Sequence, residues 1–275
     1  MVNLKKAAVF NQREDSAPNR SNYRGQIMIR EIRKKLVVLS NRSPFPQSVK
    51  DYINHLERVD WIYMNLRLDG SPLTRQEAEQ ILGGEPVMNG RIMDHVLISR
   101  LDDMRNELYD LAERDLEISP EICRRMAEKC SCTNSISASD ADCAAVGYRK
   151  STPSLMEYSY TPVLPLEIPQ AMKELAHYAN RREEFDNPFE KAAGIHNRFL
   201  SVFPYRENNQ FVARALMEYH LMLHGLPMAF LDMSESDYNR AFEEFCRTGA
   251  SRPLTDQLTV STLNRLELMI QLTAY

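Results

Sequence analysis

The sequence FPYRENNQFVAR, residues 203–214, is a short polar turn between two segments with helical periodicity. Apolar residues recur after the turn at spacings of three and four, as one buried face of a helix requires. They are Phe211, Ala215, Leu216, Tyr219 and Leu223. A turn that leads into a helix N-terminus directs unpaired backbone N–H groups outward, where the helix dipole favours an anion. The pattern therefore predicts the layout of a phosphate cradle.

The turn lacks the glycines that such a cradle usually contains. Glycine is favoured there because a backbone without Cβ approaches a phosphate closely and adopts positive φ. Asn208 and Gln210 stand in the turn instead, and the apolar Phe211 occupies a position where a cation would help most. We interpret the turn as an anion site in which several functional positions have been replaced.

The turn resembles the signature of Fic (Fido) domains, which reads His-Pro-Phe-x-Asp/Glu-Gly-Asn-Gly/Lys-Arg-x-x-Arg. Five of the twelve positions are kept: Pro204, the aromatic Tyr205, Glu207, Asn209 and Arg214. Four positions differ: Phe203 replaces histidine, Asn208 glycine, Gln210 glycine or lysine, and Phe211 arginine. The final arginine of the signature is thus present, and the histidine is not.

Three further segments resemble Fic proteins in the same order along the chain. Asn65–Thr74 is similar to the Ser-Asn-x-Ile-Glu-Gly-x-x-Leu-Thr segment near the N-terminus of many members. Gly147–Arg149 resembles the short Gly-x-Tyr/Phe-Arg turn after the second core helix, and Tyr160–Leu175 resembles the flap with its following helix. The resemblance implies a mostly α fold, a Fic-like helical bundle with a short β-hairpin flap.

The resemblance also implies a chemistry. In Fic proteins the histidine deprotonates a target hydroxyl, which attacks the α-phosphate of ATP and receives AMP. The implied cofactors are ATP and Mg²⁺, with Glu207 as the metal ligand. The implied nucleotide contacts are Glu207, Asn208, Asn209, Gln210 and Arg214, and the implied flap residues are Tyr160, Thr161 and Pro162.

The position of the general base is occupied by Phe203, which cannot exchange a proton. Loss of a general base costs about 10²- to 10⁴-fold in rate, so we assign no catalytic residue. We expect a degenerate AMP-transferase site that is inactive in conventional transfer and acts through partner or nucleotide binding. The alternative is a divergent transferase that moves a phosphate-containing group from a nucleotide to a protein hydroxyl.

Asp69 stands where Fic proteins carry a glutamate that folds over the site and pairs with the second arginine. The resemblance therefore makes Asp69 a candidate partner of Arg214, in an inhibitory role or merely a structural one. Asp69 is one methylene shorter than the glutamate, and Asn65 replaces the serine of that segment.

Other chemical groups offer weaker sites. His196 lies seven residues before Phe203 and suits a packed core better than a base. His220 and His224 share a helical face and could hold a metal, but no third ligand is evident beside them. The five cysteines form no disulfide framework, and three of them lack a fourth zinc ligand: Cys130, Cys132 and Cys143.

Composition limits the class of protein. A net charge of −4 gives no global attraction to nucleic acid or anionic membranes, and no apolar run is long enough to span a bilayer. The N-terminus lacks the apolar core of a secretory signal. We expect a cytoplasmic protein with a protein partner or target, no nucleic-acid or membrane partner, and a possible homo-oligomeric state.

Periodicity divides the chain into a tail with an extension, residues 1–48, and a Fic-like domain, residues 49–275. Residues 154–169 carry three prolines and read as an extended hairpin or edge segment. Helices are predicted at about 49–64, 74–82, 94–113, 120–132, 169–183, 188–202, 209–224, 234–247 and 254–272.

Overall fold

The computed structural model describes residues 23–88, 92–131, 146–153, 160–181 and 187–274. These ranges contain ten α-helices and no strand. The first five helices are α1 (Tyr23–Arg42), α2 (Gln47–Leu68), α3 (Arg75–Leu82), α4 (Ile92–Glu113) and α5 (Pro120–Cys130). A 3₁₀ turn (Pro165–Glu167) precedes α6 (Ile168–Asn180), α7 (Pro188–Val202), α8 (Asn209–Leu223), α9 (Glu235–Thr248) and α10 (Arg252–Leu272). The mostly α fold predicted from the sequence is confirmed.

Helix α8 lies at the centre of the bundle. Every residue from Phe211 to Met222 is buried, and a helix buried on all sides must be surrounded by other helices. Its most extensive contact is with α7, and α4 and α5 pack against other parts of its surface. Helices α6 and α10 cover α7. The turn between α7 and α8 is therefore held by the two best-packed helices.

Local capping signals explain where several helices begin. The predicted capping box is present: the Glu77 N–H donates to Thr74 Oγ1 at 3.2 Å, and the Thr74 N–H donates to Glu77 Oε2 at 2.8 Å. Ser119 likewise caps α5, where its Oγ accepts from the Ile122 N–H at 3.2 Å. These bonds satisfy N–H groups that have no partner inside the helix.

Helix α1 lies along α10 and contributes to the common core. Ile32, Leu36 and Leu39 are fully buried there. The Arg42 side chain donates through Nη1 to the carbonyl of Ile270 at 2.6 Å. The basic residues Arg30 and Lys34 are exposed on this partly buried helix. The predicted tail, residues 1–22, lies outside the described residues, and the division at residue 48 stays a prediction.

The predicted β-hairpin flap is not observed. Residues 154–159 lie outside the described part of the chain, and residues 160–164 have no strand partner before the 3₁₀ turn begins. Pro162 and Pro165 lack the N–H that a ladder requires. The Val163 carbonyl, which could have accepted from a partner strand, accepts from the side chain of Arg149 instead.

The length and hydropathy of the described helices can be compared with those of a membrane-spanning helix. None of them combines the length and the apolar character that crossing a bilayer requires.

Candidate functional site

Two residues with left-handed backbone conformations bound the turn between α7 and α8. Phe203 follows α7 with φ 48° and ψ 61°, and its N–H donates to the Phe199 carbonyl at 2.9 Å. Asn208 precedes α8 with φ 64° and ψ 15°. Asparagine tolerates this conformation better than most residues do. Asn208 thus retains the backbone geometry that a glycine would adopt at the same position of the signature.

The side chains of Asn208 and Asn209 are bonded within the protein. Asn208 Nδ2 donates to the carbonyl of Cys130, at the end of α5, at 3.2 Å. Asn209 is fully buried; its Oδ1 accepts from the Tyr205 N–H at 3.0 Å and its Nδ2 donates to the Tyr205 carbonyl at 2.9 Å. Asn209 therefore shapes the turn. Asn208, the residue before α8, makes no side-chain cap bond to the helix, and the N-terminus of a helix is a place where an anion is favoured.

Arg214 lies one turn into α8 and is fully buried. Its Nε donates to Asn65 Oδ1 at 2.8 Å, and its Nη2 donates to Asp69 Oδ1 at 2.8 Å. Asn65 is oriented for this by its own amide, since Nδ2 donates to the Trp61 carbonyl at 2.9 Å. The contact between Asp69 and Arg214 expected from the sequence is thus present. Whether it inhibits anything stays a prediction.

The surroundings of Arg214 favour its charged form. Burial by itself lowers the pKa of the guanidinium, but Tyr238 and Asp69 more than offset this, and the pKa is raised above its ordinary value. The guanidinium carbon lies 5.0 Å from the ring centroid of Phe211 and 5.4 Å from that of Tyr238, within reach of a cation–π attraction. Phe211, which replaces an arginine of the signature, packs beside the remaining arginine.

His196 does not replace the missing base. It is buried, with Nδ1 2.9 Å from Asn197 Oδ1 and Nε2 2.6 Å from the Tyr238 hydroxyl. Burial lowers the pKa of His196 to about 3, so the ring is neutral at pH 7 and both nitrogens contact protein groups. The interpretation of His196 as a packed core residue agrees with these contacts.

The other candidate metal sites gain no support from the geometry. His224 Nδ1 contacts the His220 carbonyl at 2.9 Å. Within the ranges that the structure describes, no group of three His, Cys, Asp or Glu side chains is arranged to hold a metal. Cys132 and Cys143 lie outside those ranges. The buried Cys130 thiol has its pKa raised to about 12 by burial, so it is protonated at pH 7.

The remaining predicted residues lie near the turn with different exposures. Glu207 and Gln210 are half-buried on the turn itself. In the flap segment, Thr161 is exposed and Pro162 is buried. Tyr160 attaches the segment to α7, because its hydroxyl donates to the Leu200 carbonyl at 2.7 Å.

Sequence reasoning missed the residue that organises this region, Arg149. Its main-chain N–H donates to the Pro204 carbonyl at 2.9 Å, and its Nε donates to the Phe203 carbonyl at 2.7 Å. The Gly147–Arg149 turn marked its place in the sequence, but no local pattern indicated its distant partners.

Comparison with protein families finds a match over the region that contains the turn. Residues 133–221 match the family model described as the Fic/DOC family, and this range contains the turn and most of α8. The turn and most of α8 therefore lie in a part of the chain that is similar to Fic proteins. Members of the family typically transfer AMP or other groups to proteins. No curated protein matches the chain significantly.

Solved structures of Fic proteins share the fold of this chain over most of its length. A Fic domain containing signaling protein from Bacteroides thetaiotaomicron is 18% identical, with a TM-score of 0.74 over 88% of this chain and 97% of that protein. Fic-1 (residues 134–508) from C. elegans is 18% identical, with a TM-score of 0.73 over 92% of this chain and 73% of that one. A Fic family protein from Desulfovibrio desulfuricans is 14% identical, with a TM-score of 0.66 over 94% and 76%. At these identities the similarity concerns the fold.

Proposed function

We propose that this protein is a Fic-fold protein that does not transfer AMP and that keeps a nucleotide-binding site at the start of α8. The observation that carries the proposal is Phe203, a buried, non-titratable side chain at the position of the signature histidine. A general base must take a proton near neutral pH. His196, the nearest histidine along the chain, is neutral but bonded to Asn197 and Tyr238.

Three features support binding of phosphate at this turn. The N-terminus of α8 has no side-chain cap, Arg214 carries a buried charge, and Glu207 supplies a carboxylate on the turn. This donor set fits a Mg²⁺–nucleotide, in which Glu207 would hold the metal and Arg214 a phosphate. Bound Mg²⁺ would offset the charge of the phosphates.

Asp69 opposes such binding. Its carboxylate already pairs with Arg214 at 2.8 Å, and a phosphate would have to compete with it for the same guanidinium. We propose that the pair keeps nucleotide affinity low in the resting protein, and that any process that displaces Asp69 raises it.

Removal of the Asp69 carboxylate is expected to increase nucleotide affinity. Calorimetry with ATP and Mg²⁺ should show at least about tenfold tighter binding for Asp69→Ala than for the natural protein, a difference of about 1.4 kcal/mol. Asp69→Asn is the matched control, because it keeps an oxygen acceptor for Arg214 and removes only the charge, and an intermediate affinity is expected. If Asp69→Ala binds no nucleotide at millimolar concentration, the turn is not a nucleotide site.

Restoring the histidine alone is expected not to restore transfer. In Phe203→His, Phe211 still supplies no cation and Gln210 still places a side chain at the helix start, so phosphates remain poorly positioned. The measurement is transfer of labelled AMP from ATP to protein in a cell extract, with the natural protein as control. Transfer by Phe203→His would show that the cradle is intact; transfer by the natural protein would establish the alternative, a divergent active transferase.

Partner recognition through the flap segment is the second candidate function. Leu164, in the flap segment, is 57% exposed, and Leu166, in the 3₁₀ turn that follows it, is 95% exposed. Exposed apolar side chains that lie close together are typical of contact sites. A partner strand that paired with this segment would find no backbone N–H at Pro162 or Pro165 to accept from. Absence of nucleotide binding in both the natural protein and Asp69→Ala would favour this candidate.

A further inference from the structure

One side chain, that of Arg149, connects three separate segments near the turn. It is 7% exposed. Its Nε donates to the Phe203 carbonyl at 2.7 Å, and its Nη2 donates to the Val202 carbonyl at 3.2 Å and also to the Val163 carbonyl. Its Nη1 donates to the Ser151 carbonyl at 3.0 Å.

The contacts with Val202 and Phe203 complete the end of α7. The last carbonyls of a helix have no partner inside it, and a cation at this end is favoured by the helix dipole. The Arg149 main chain adds a bond to the next carbonyl, that of Pro204, at 2.9 Å. Three successive carbonyls, from Val202 to Pro204, are therefore held by one residue.

The contact with Val163 extends the same guanidinium to the flap segment, residues 160–164. A second attachment of this segment is at Tyr160, whose hydroxyl contacts Leu200 and whose ring meets Phe242 edge-on at 5.1 Å. Tyr160 attaches the flap segment to the body of α7 and to α9, whereas Arg149 attaches it to the turn.

We propose that Arg149 is a positioning residue that holds the flap segment and the turn in a fixed position relative to each other. The backbone of residue 203 and that of Val163 keep a fixed relative position because both carbonyls bind one rigid, planar group. A protein segment that lies along the flap therefore meets residue 203 in a constant geometry. This inference does not depend on whether the turn binds a nucleotide.

Lysine cannot perform this role. A guanidinium offers five N–H donors in a fixed plane, whereas an ammonium group offers three donors on a flexible stem. Arg149→Lys keeps the charge at the end of α7 but cannot hold the carbonyls of α7, the flap segment and residue 151 together.

Hydrogen exchange measured by mass spectrometry on the full chain tests the proposal. In Arg149→Ala and in Arg149→Lys, peptides from both segments that contain the hydrogen-bonded amides of Leu164, Phe203 and Tyr205 are expected to exchange at least about tenfold faster, since Arg149 holds the segments in which these amides lie. Exchange in α10 is expected to stay unchanged. Tyr160→Phe is the matched control, because it frees the flap segment from Leu200 and leaves Arg149 in place, so only residues 160–164 should exchange faster.

Either of two results would overturn the proposal. One is faster exchange in only one of the two segments when Arg149 is replaced. The other is exchange in Arg149→Lys at the rate of the natural protein, which would mean that charge alone is sufficient. If Arg149→Ala does not fold, Arg149→Lys and Tyr160→Phe decide the question by the same comparison.

Discussion

Replacement of Arg214 by methionine is expected to lower the free energy of unfolding by about 1–3 kcal/mol, because it leaves the fully buried Asn65 without its donor, whereas Asp69 is 32% exposed. Methionine fills the volume of the aliphatic stem but gives no donor to Asn65 or Asp69, which accept from Arg214 at 2.8 Å each. For a chain of this size the midpoint of thermal unfolding should fall by roughly 2–12 °C. Circular dichroism at 222 nm (a wavelength that reports helix content) can follow the transition.

Arg58 provides the matched control for Arg214. It forms two hydrogen bonds of 2.7 Å with Asp102, but its side chain is 36% exposed. Exposed pairs contribute about 0–1 kcal/mol, so Arg58→Met should change the midpoint by only a few degrees. A variant Arg214→Met as stable as the natural protein would show that this arginine is dispensable for folding and is held for binding alone.

Replacement of Glu218 by glutamine is expected to stabilise the protein at neutral and alkaline pH. Glu218 is fully buried on α8, and its Oε2 accepts from the Ala229 N–H at 2.8 Å. Burial raises the pKa of Glu218 well above its ordinary value; the Ala229 N–H opposes this, and the nearby Glu57 adds to it. Glutamine keeps an oxygen for Ala229 and removes the charge that burial disfavours.

The sign of the pH dependence follows from the raised pKa. A carboxyl whose folded pKa exceeds its unfolded pKa stabilises the fold fully below the unfolded pKa, about 4.5. This stability is lost as the pH rises toward the folded pKa. Glu218→Gln should therefore match the natural protein near pH 4 and exceed it by about 1–3 kcal/mol at pH 8, the usual cost of an unsatisfied buried group.

Urea unfolding at several pH values measures this difference. Glu243→Gln is a suitable control, because Glu243 is exposed on α9 and its replacement should leave the pH dependence unchanged. A constant difference between Glu218→Gln and the natural protein at every pH would contradict the expectation, because it would mean that Glu218 does not titrate differently in the folded state.

Local patterns predicted most helix boundaries of this protein to within a few residues. The capping box at Thr74 and Glu77, the serine cap of α5 and the start of α8 at Asn209 appear where the sequence placed them. No hairpin is seen in residues 160–164, the described part of the predicted flap, because alternation of residues between prolines does not specify a partner strand. Helix α1 lies in the predicted extension, where no helix was expected, since its packing depends on α10, more than 200 residues away.

The site divides in a similar way. The sequence placed Phe203 at the position of a base and predicted a contact between Asp69 and Arg214, because the order of the segments resembles a known family. It did not predict that the Asn208 side chain donates to the Cys130 carbonyl. It also did not predict that the Asn209 side chain binds both the N–H and the carbonyl of Tyr205. The sequence shows only that two amides stand in the turn. The structure shows that both are hydrogen-bonded to the main chain.

The sequence by itself determined the helices, their caps and the loss of a titratable group at residue 203, since each depends on residue type and on neighbours within about four positions. Only the tertiary structure decided which partners the buried polar groups have. Arg149 reaches Phe203 across 54 positions, and Arg214 reaches Asn65 across 149. Such bonds leave no periodic trace in the sequence, because they depend on how whole helices pack and on which carbonyls remain unpaired where those helices end.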